Sequence, residues 1–346
     1  MSAATIRPQE IHRVLVRCPN WLGDTVMALP TIRTLVGLCP RAELIAVGPW
    51  IEPLLAAEPG VTRRAPVPST FAARLRQALA LRREAIDLAV LLTNSFETAL
   101  LARVSGARWR LGYQGDGRRP LLTHPLPLPD APRHQVDRYL GLLVPLGCPP
   151  GSEPPPPTLS PSAHHRAEAR RLLAEVGVGP GIVAVGLHLG AAFGPSKLWP
   201  IERLADLALQ LGAAGMTAVF LGRPDAGPLL ASVRHRMAKT GPAALRSLVG
   251  RDTPDLLPAL LAELSALVAP DSGPAHVAAA VGVPVVALFG PTDPRLTAPR
   301  GRAVTAIWRR PSCAPCFQPR CPIDHRCLTA VGVDEVTDAV LRVVGS

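Results

Sequence analysis

Short aliphatic blocks alternate along this chain with longer stretches whose apolar residues recur every three or four positions. In the first half "RVLVRC", "ELIAVG" and "DLAVLL" read as buried strands, and "FAARLRQALALRRE" carries helical spacing. After residue 161 the alternation resumes. "SAHHRAEARRLLAEVG" reads as a helix, "GIVAVGLHLG" as a strand, and "IERLADLALQLGAAG" as a helix ended by Gly. Then come "TAVFLG", a helix through "LLASVRHRMA", and the run "LRSLVG", "ALVAP", "HVAAAVG" and "PVVALFG". Such alternation predicts α/β architecture with parallel, doubly wound sheets. The stretch "PPGSEPPPPTLSP" is stiff and can continue neither element.

The expected organisation is a Rossmann-like domain over 1–150, a proline-rich linker over 151–161 and a second Rossmann-like domain over 162–332. An amphipathic helix, "VDEVTDAVLRVV", closes the chain within 333–346 and is expected to pack across the domains. The carboxyl ends of both sheets are expected to face a central cleft.

At 346 residues and 48% hydrophobic content, each domain is long enough to bury its own core. No apolar run reaches the length of a membrane span, and the opening "MSAATIRPQE" lacks a secretory apolar region, so a cytoplasmic protein is expected. The net charge of +11 points to an anionic partner. Nucleic acid is one candidate, but only 4% of residues are aromatic and no nucleic-acid signature is present, and anionic lipid or a phosphorylated substrate fits equally well. Between Arg63 and Arg119 arginines outnumber acids by eleven to four, either as a binding surface or as solvated helix faces. Lysine is scarce: Lys197 and Lys239 are the only two.

Three connections carry candidate chemistry. "RCPNWLGDTVMALP" turns the first strand into a helix, and Asp24 there is either a cap of that helix or a base held at the strand ends. "HLGAAFGPSKLWP" places Gly190 and Gly194 where backbone can approach a ligand, with Lys197 placed to meet a phosphate or to snorkel. In "APDSGPAHVAAAVGVPVVALFGPTDP", Asp271, Ser272 and Gly273 end a strand and start a small-residue helix, with His276 in its first turn. Backbone N–H groups at a helix start suit a diphosphate. A second strand then ends in Gly290, Pro291 and Thr292 at the same edge. The first strand is followed by "PNWLGD" rather than the dinucleotide fingerprint G-x-G-x-x-G, which argues against hydride transfer.

"NWLGDTVMALP", "FGPSKLWP" and "DSGPAHVAAAVGVPVVALFGPTDP", in that order, resemble glycosyltransferase family 9, the bacterial ADP-heptose:lipopolysaccharide heptosyltransferases, and among them the second-heptose type. The resemblance implies a GT-B fold, with acceptor on the N-terminal domain and nucleotide sugar on the C-terminal one. It implies an inverting transfer of L-glycero-D-manno-heptose from ADP-heptose to a heptose of the lipopolysaccharide inner core, with no metal required. Asp24 takes the place of the general base and Lys197 that of the group neutralising the departing ADP. Trp21, Gly23, Gly190, Gly194, Asp271, Ser272, Gly273, His276, Gly290 and Thr292 fall to substrate binding. The arginine-rich region would meet a phosphorylated lipid A–core acceptor at the inner face of the inner membrane. Relatives often read Pro-Gly-Ala-Glu where this chain has Leu189, Gly190, Ala191 and Ala192, so one acidic contact is missing. The alternatives are a relative using another nucleotide sugar or acceptor, and a noncatalytic basic membrane- or nucleic-acid-binding protein.

Of seven cysteines, Cys18, Cys39 and Cys148 read as small buried hydrophobes. Cys313, Cys316, Cys321 and Cys327 cluster in "CAPCFQPRCPIDHRC", a C-x2-C-x4-C-x5-C spacing that suits a tetrahedral thiolate site for structural zinc. An iron–sulfur cluster, disulfides and free thiols are the other readings. Relatives vary in carrying this cluster, which marks it as a clasp rather than part of the chemistry.

Overall fold

The computed structural model describes residues 6–240 and 245–345, so the first five residues of the opening segment lie outside it. The chain divides into two compact units, Met1–Pro157 and Thr158–Ser346.

The first unit runs β1 (Arg13–Arg17), α1 (Leu22–Leu38), β2 (Glu43–Val47), α2 (Ile51–Leu55), β3 (Val61–Ala65) and α3 (Phe71–Leu81). It continues through β4 (Leu88–Leu91), α4 (Phe96–Val104), β5 (Trp109–Tyr113), β6 (His124–Leu126) and α5 (Gln135–Gly141). The six strands pair in parallel in the order β3-β2-β1-β4-β5-β6. This is the doubly wound order, whose switch point lies between β1 and β4. Central β4 is buried at every position, as expected of a strand covered on both faces. Beneath α3 and α4, Leu15, Ile45, Val47, Leu81, Leu91 and Ala102 pack as one core. Each of the Leu, Ile and Val side chains among them contributes roughly 1.5–3 kcal/mol when fully buried.

The second unit begins with α6 (Ala163–Glu175), β7 (Ala184–His188), α7 (Ile201–Ala213), β8 (Thr217–Leu221), α8 (Gly227–Thr240), β9 (Arg246–Ser247) and α9 (Leu257–Ala262). Then follow β10 (Ala266–Pro270), α10 (Gly273–Ala280), β11 (Val285–Phe289), α11 (Pro294–Thr297), β12 (Val304–Trp308), α12 (Arg326–Thr329) and α13 (Val333–Val344). Its sheet, β12-β11-β10-β7-β8-β9, repeats the topology with the switch point between β10 and β7. β7, β10 and β11 are buried at every position.

The terminal helix α13, expected across the domains, packs on α7, β10 and β11 of its own unit. Val336, Ala339 and Val340 on its apolar stripe are buried in the second unit's core. Helix α1 continues past Pro30 to Leu38, with the Thr34 hydroxyl donating to the Pro30 carbonyl at 2.9 Å. Strands β3, β5, β6 and β12 have no counterpart among the expected elements. β3 and β6 are the edges of their sheet, and Arg63, Arg64 and Pro125 in them break the hydrophobic pattern that marks a central strand.

Candidate active site

Strand β1 ends at Arg17, and the chain turns through Asn20 and Trp21 into α1. The Trp50 indole N–H donates to the Asn20 carbonyl at 2.8 Å and pins this turn. Trp21 is the N-cap residue of α1 and makes no side-chain cap; the residue is 56% exposed. Gly23 is buried in the first turn. Asp24 lies one residue further, in that same turn, where the helix dipole favours a carboxylate. Its Oδ1 accepts a hydrogen bond from the Tyr139 hydroxyl of α5 at 3.1 Å. Burial, followed by the Asp24 charge, pushes the Tyr139 phenol well above its ordinary value, so it remains the donor.

In the second unit the expected residues gather on three neighbouring strands. β7 pairs with β10 and β10 with β11, so the loops that follow them lie side by side at one carboxyl edge, spanning the switch point. Lys197, in a short 3-10 turn after β7, places its Nζ 2.5 Å from Asp271 Oδ2. The Thr292 hydroxyl, from the loop after β11, donates to the same oxygen at 2.7 Å. Asp271 therefore joins the Lys197 and Thr292 loops, with Lys197 Nζ also 4.8 Å from the Phe193 ring centroid. The Lys197 and Asp271 side chains are 11% and 6% exposed, so removing either would leave a buried charge unpaired, at a cost of about 3–5 kcal/mol.

Helix α10 starts beside this pair. Ser272 is its N-cap residue, and the Ser272 Oγ is buried without a hydrogen-bond partner. Gly273 is the first helical residue, and His276 is buried in the first turn. A helix start that leaves a buried hydroxyl unsatisfied has the donors an anion would take. At the end of β7, burial holds the His188 imidazole down to about 4, and its Nδ1 accepts the Gly190 N–H at 3.2 Å. His188 is thus neutral near neutrality and fixes the turn that leads to Lys197.

Two glycines owe their identity to packing against the chain itself. A Cβ on Gly194, whose φ is +145°, would lie 2.4 Å from the Pro319 carbonyl oxygen. A Cβ on Gly290 would lie 2.8 Å from Leu328 Cγ. Both contacts come from the cysteine-rich segment. That segment docks through the Ser196 N–H on Pro319 O at 3.2 Å and the Cys316 and Phe317 N–H groups on Pro291 O at 3.0 and 2.9 Å. It therefore clasps the loops that carry Lys197 and Thr292.

Cys313, Cys316, Cys321, Cys327 and His325 line one small pocket. Cys313 is exposed and Cys327 buried, and all four are free thiols. Among the described residues, no group of three or more His, Cys, Asp or Glu side chains could hold a metal ion. The zinc expectation therefore finds no support here: the four thiols share one pocket, but no three of them are placed to hold a metal ion together. Cys18, Cys39 and Cys148 are buried, as expected.

The arginine-rich stretch is not one free surface. Arg63 bonds Glu84, Arg64 bonds Glu52 and Arg74 bonds Glu97. Arg118 is fully buried, donating to Tyr113 O and Thr93 O and to Asn94 Oδ1 at 3.0 Å. Tyr139, Phe193, His188 and Asn20 were not legible as site residues. Tyr139 reaches Asp24 from 115 positions away, and the one available signal is that the chain has just two tyrosines.

With this geometry in view, comparison with known proteins defines the class. The sequence pattern of glycosyltransferase family 9 (heptosyltransferase) matches residues 73–326. Lipopolysaccharide heptosyltransferase 2 of Salmonella typhimurium is 32% identical over 308 residues, covering 85% of this chain and 87% of that protein. The structure of Escherichia coli ADP-heptose lps heptosyltransferase II aligns with a TM-score of 0.80 at 28% identity, over 96% of this chain and 98% of that one. A family 9 glycosyl transferase from Veillonella parvula shares the fold with a TM-score of 0.85 at 22% identity, covering 98% of this chain and 99% of that one. The two Rossmann-like units are a GT-B fold. The chain belongs to glycosyltransferase family 9 and is a heptosyltransferase of that family.

Proposed function

We propose that the protein transfers L-glycero-D-manno-heptose from ADP-heptose to a heptose of the lipopolysaccharide inner core, in the manner of heptosyltransferase II. The donor and acceptor follow the names of the relatives, lipopolysaccharide heptosyltransferase 2 among them. The first unit binds the acceptor and the second the nucleotide sugar. Contact with the anionic inner membrane brings the enzyme to its lipid-linked acceptor. No described helix is long and apolar enough to cross a membrane, so that contact is peripheral.

The observation that carries the mechanism is the side chain of Asp24, held by Tyr139 rather than spent on an N-cap. Asp24 takes the proton of the acceptor hydroxyl as its oxygen attacks the anomeric carbon. The bond from that carbon to the β-phosphate oxygen breaks on the opposite face, and its electron pair leaves with ADP, so the configuration inverts. Lys197, with one of its three N–H donors on Asp271, offers the others to the departing phosphate. Ser272 Oγ and the start of α10 with Gly273 and His276 hold the diphosphate, and Gly190, Gly290 and Thr292 shape the loops around it. Trp21 and Gly23 border the acceptor. Stabilising charge on the leaving group is commonly the largest single catalytic contribution.

The test is ADP release from ADP-L-glycero-D-manno-heptose with heptosylated Kdo2-lipid A, comparing the wild type with Asp24→Asn. Acceptor-dependent release that the variant loses while still binding donor supports the reading. Release only with another nucleotide sugar or acceptor moves the protein to a different substrate within the family.

A further inference from the structure

Helix α5 carries Tyr139, the partner of Asp24, yet it has just seven residues, about two turns. A helix that short does not hold itself in place, so its neighbours must. It packs on α1. Its own end is incomplete. The N–H of Leu142, just past the helix, donates to the Tyr139 and Leu140 carbonyls, which leaves the Arg138 carbonyl without the partner a continuing helix would supply. That carbonyl accepts instead from the Tyr113 hydroxyl at 2.6 Å.

Tyr113 ends β5 and is buried. It is fixed at both of its ends. Its backbone carbonyl accepts the Arg118 Nε–H at 2.8 Å, and the fully buried Arg118 also donates to the Thr93 carbonyl at 2.5 Å and to Asn94 Oδ1 at 3.0 Å, just beyond β4. β4 in turn pairs with β1, which leads into α1 and Asp24. Burial raises the Tyr113 phenol above its ordinary value, so its hydroxyl remains a donor. Gly141 of α5 admits that hydroxyl: a Cβ there would lie 2.8 Å from it.

Two hydroxyls therefore act in series, and they belong to the chain's only two tyrosines. Tyr113 reaches from the sheet to Arg138 of α5, and Tyr139, the next residue, reaches from α5 to Asp24 Oδ1 at 3.1 Å. The Gln135 side chain, one turn earlier, also bonds the Tyr139 hydroxyl. We propose that Tyr113 is a positioning residue of the transfer site: by holding the Arg138 carbonyl it sets the place of α5, and so the direction in which Tyr139 orients Asp24. The proposal rests on the reading of Asp24 as the base and adds to it a residue that acts through Tyr139.

Tyr113→Phe keeps the ring and removes the hydroxyl. In the ADP-release assay, with kcat taken per folded molecule, it is expected to lower kcat about fivefold and to leave the donor KM unchanged. In a Tyr139→Phe background the same substitution is expected to cost nothing further, because its effect passes through Tyr139. Gly141→Ala, whose methyl group displaces the Tyr113 hydroxyl, is expected to reproduce the loss and to be silent once Tyr113 is replaced by Phe. Isotope labelling of tyrosine Cζ, read by NMR, needs no substrate. Tyr113→Phe leaves a single resonance, that of Tyr139, and it is expected to move from its wild-type position. Wild-type kcat in Tyr113→Phe, the same fold loss in both backgrounds, or an unmoved Tyr139 resonance overturns the positioning role. Asp24→Asn, run in parallel, separates the two readings. Turnover retained there overturns the base and the positioning role with it, whereas turnover lost there but unchanged in Tyr113→Phe overturns Tyr113 alone.

Discussion

The Tyr139 hydroxyl donates to Asp24 Oδ1 at 3.1 Å and so ties α5 to the first turn of α1. A carboxylate used only to favour a helix start needs no such partner. One that must present a fixed oxygen to a substrate hydroxyl gains from it, because orientation is itself catalytic. Replacing Asp24 by Asn is expected to lower kcat by roughly 10²–10⁴-fold. Tyr139→Phe, which keeps the ring and loses the hydrogen bond, is expected to cost about tenfold in kcat, near 1.4 kcal/mol. If Asp24→Asn lost only helix stability and kept its turnover, the base would lie elsewhere.

Asp271 accepts from both Lys197 and Thr292, and its removal leaves a buried cation without its counter-charge. Asp271→Asn is expected to lower kcat and stability together. Thr292→Val, which deletes one neutral donor, should cost about 1 kcal/mol of stability. Lys197→Arg is not expected to rescue Lys197→Ala, since a planar fork cannot replace a compact ammonium held against one carboxylate oxygen. Full activity in the Arg variant would show that charge alone matters there.

Gly194 cannot accept a side chain without displacing the Pro319 carbonyl. Gly194→Ala is expected to destabilise the second unit on the order of 3 kcal/mol, read as a lower urea midpoint. Its kcat should fall further than its folded fraction, because the same loop carries Lys197. A variant as stable as the wild type would mean that the cysteine-rich segment yields.

Burial raises the Asp252 carboxyl to about 6, and Asp252 Oδ1 is buried without a partner. The folded state therefore keeps this proton over a range where the unfolded chain has already lost it. Stability contributed here is full below the unfolded value of 3.8 and is lost as pH rises through about 6. The whole change amounts to about 3 kcal/mol. Asp252→Asn is expected to flatten that window and to raise Tm above neutrality by roughly 5 °C. Thermal melts across the window decide it, and an unchanged slope in the variant would assign the pH dependence to another group.

Burial pushes the Cys18 thiol up to about 12 and the Cys39 thiol up to about 11, while Cys313 is exposed. Iodoacetamide at about pH 8 is expected to alkylate Cys313 first and to spare Cys18 and Cys39 until the chain unfolds. Peptide mapping of a time course reads the order directly. Early labelling of Cys18 would mean that the β1–α1 turn opens in the native state.

The pattern of apolar blocks was enough to place the two α/β units, their central strands and the turns that end them. Aliphatic blocks such as "ALVAP" and "VVALF" are buried on both faces, so their hydrophobicity is uninterrupted and legible. Glycine, proline and a charged residue at a strand end likewise mark a turn within a few positions, which is why the turns that hold Asp24, Lys197 and Asp271 were legible. Edge strands such as β3, with Thr62 and Arg63 exposed and Arg64 half-buried, were not, because an edge strand answers in part to water rather than to a core.

What those loop residues do to one another is set by packing between distant segments. Asp24 meets Tyr139, Lys197 meets Asp271, and Gly194 meets Pro319 through contacts between segments far apart in the chain. A local pattern records the conformation each residue must adopt and carries no record of its distant neighbour. The cysteines make the same point. Their spacing fits a metal site, while the fold lines one small pocket with them against the Lys197 and Thr292 loops, with no three placed to share a metal ion. Spacing limits how far apart four thiols can lie, and packing decides whether they converge.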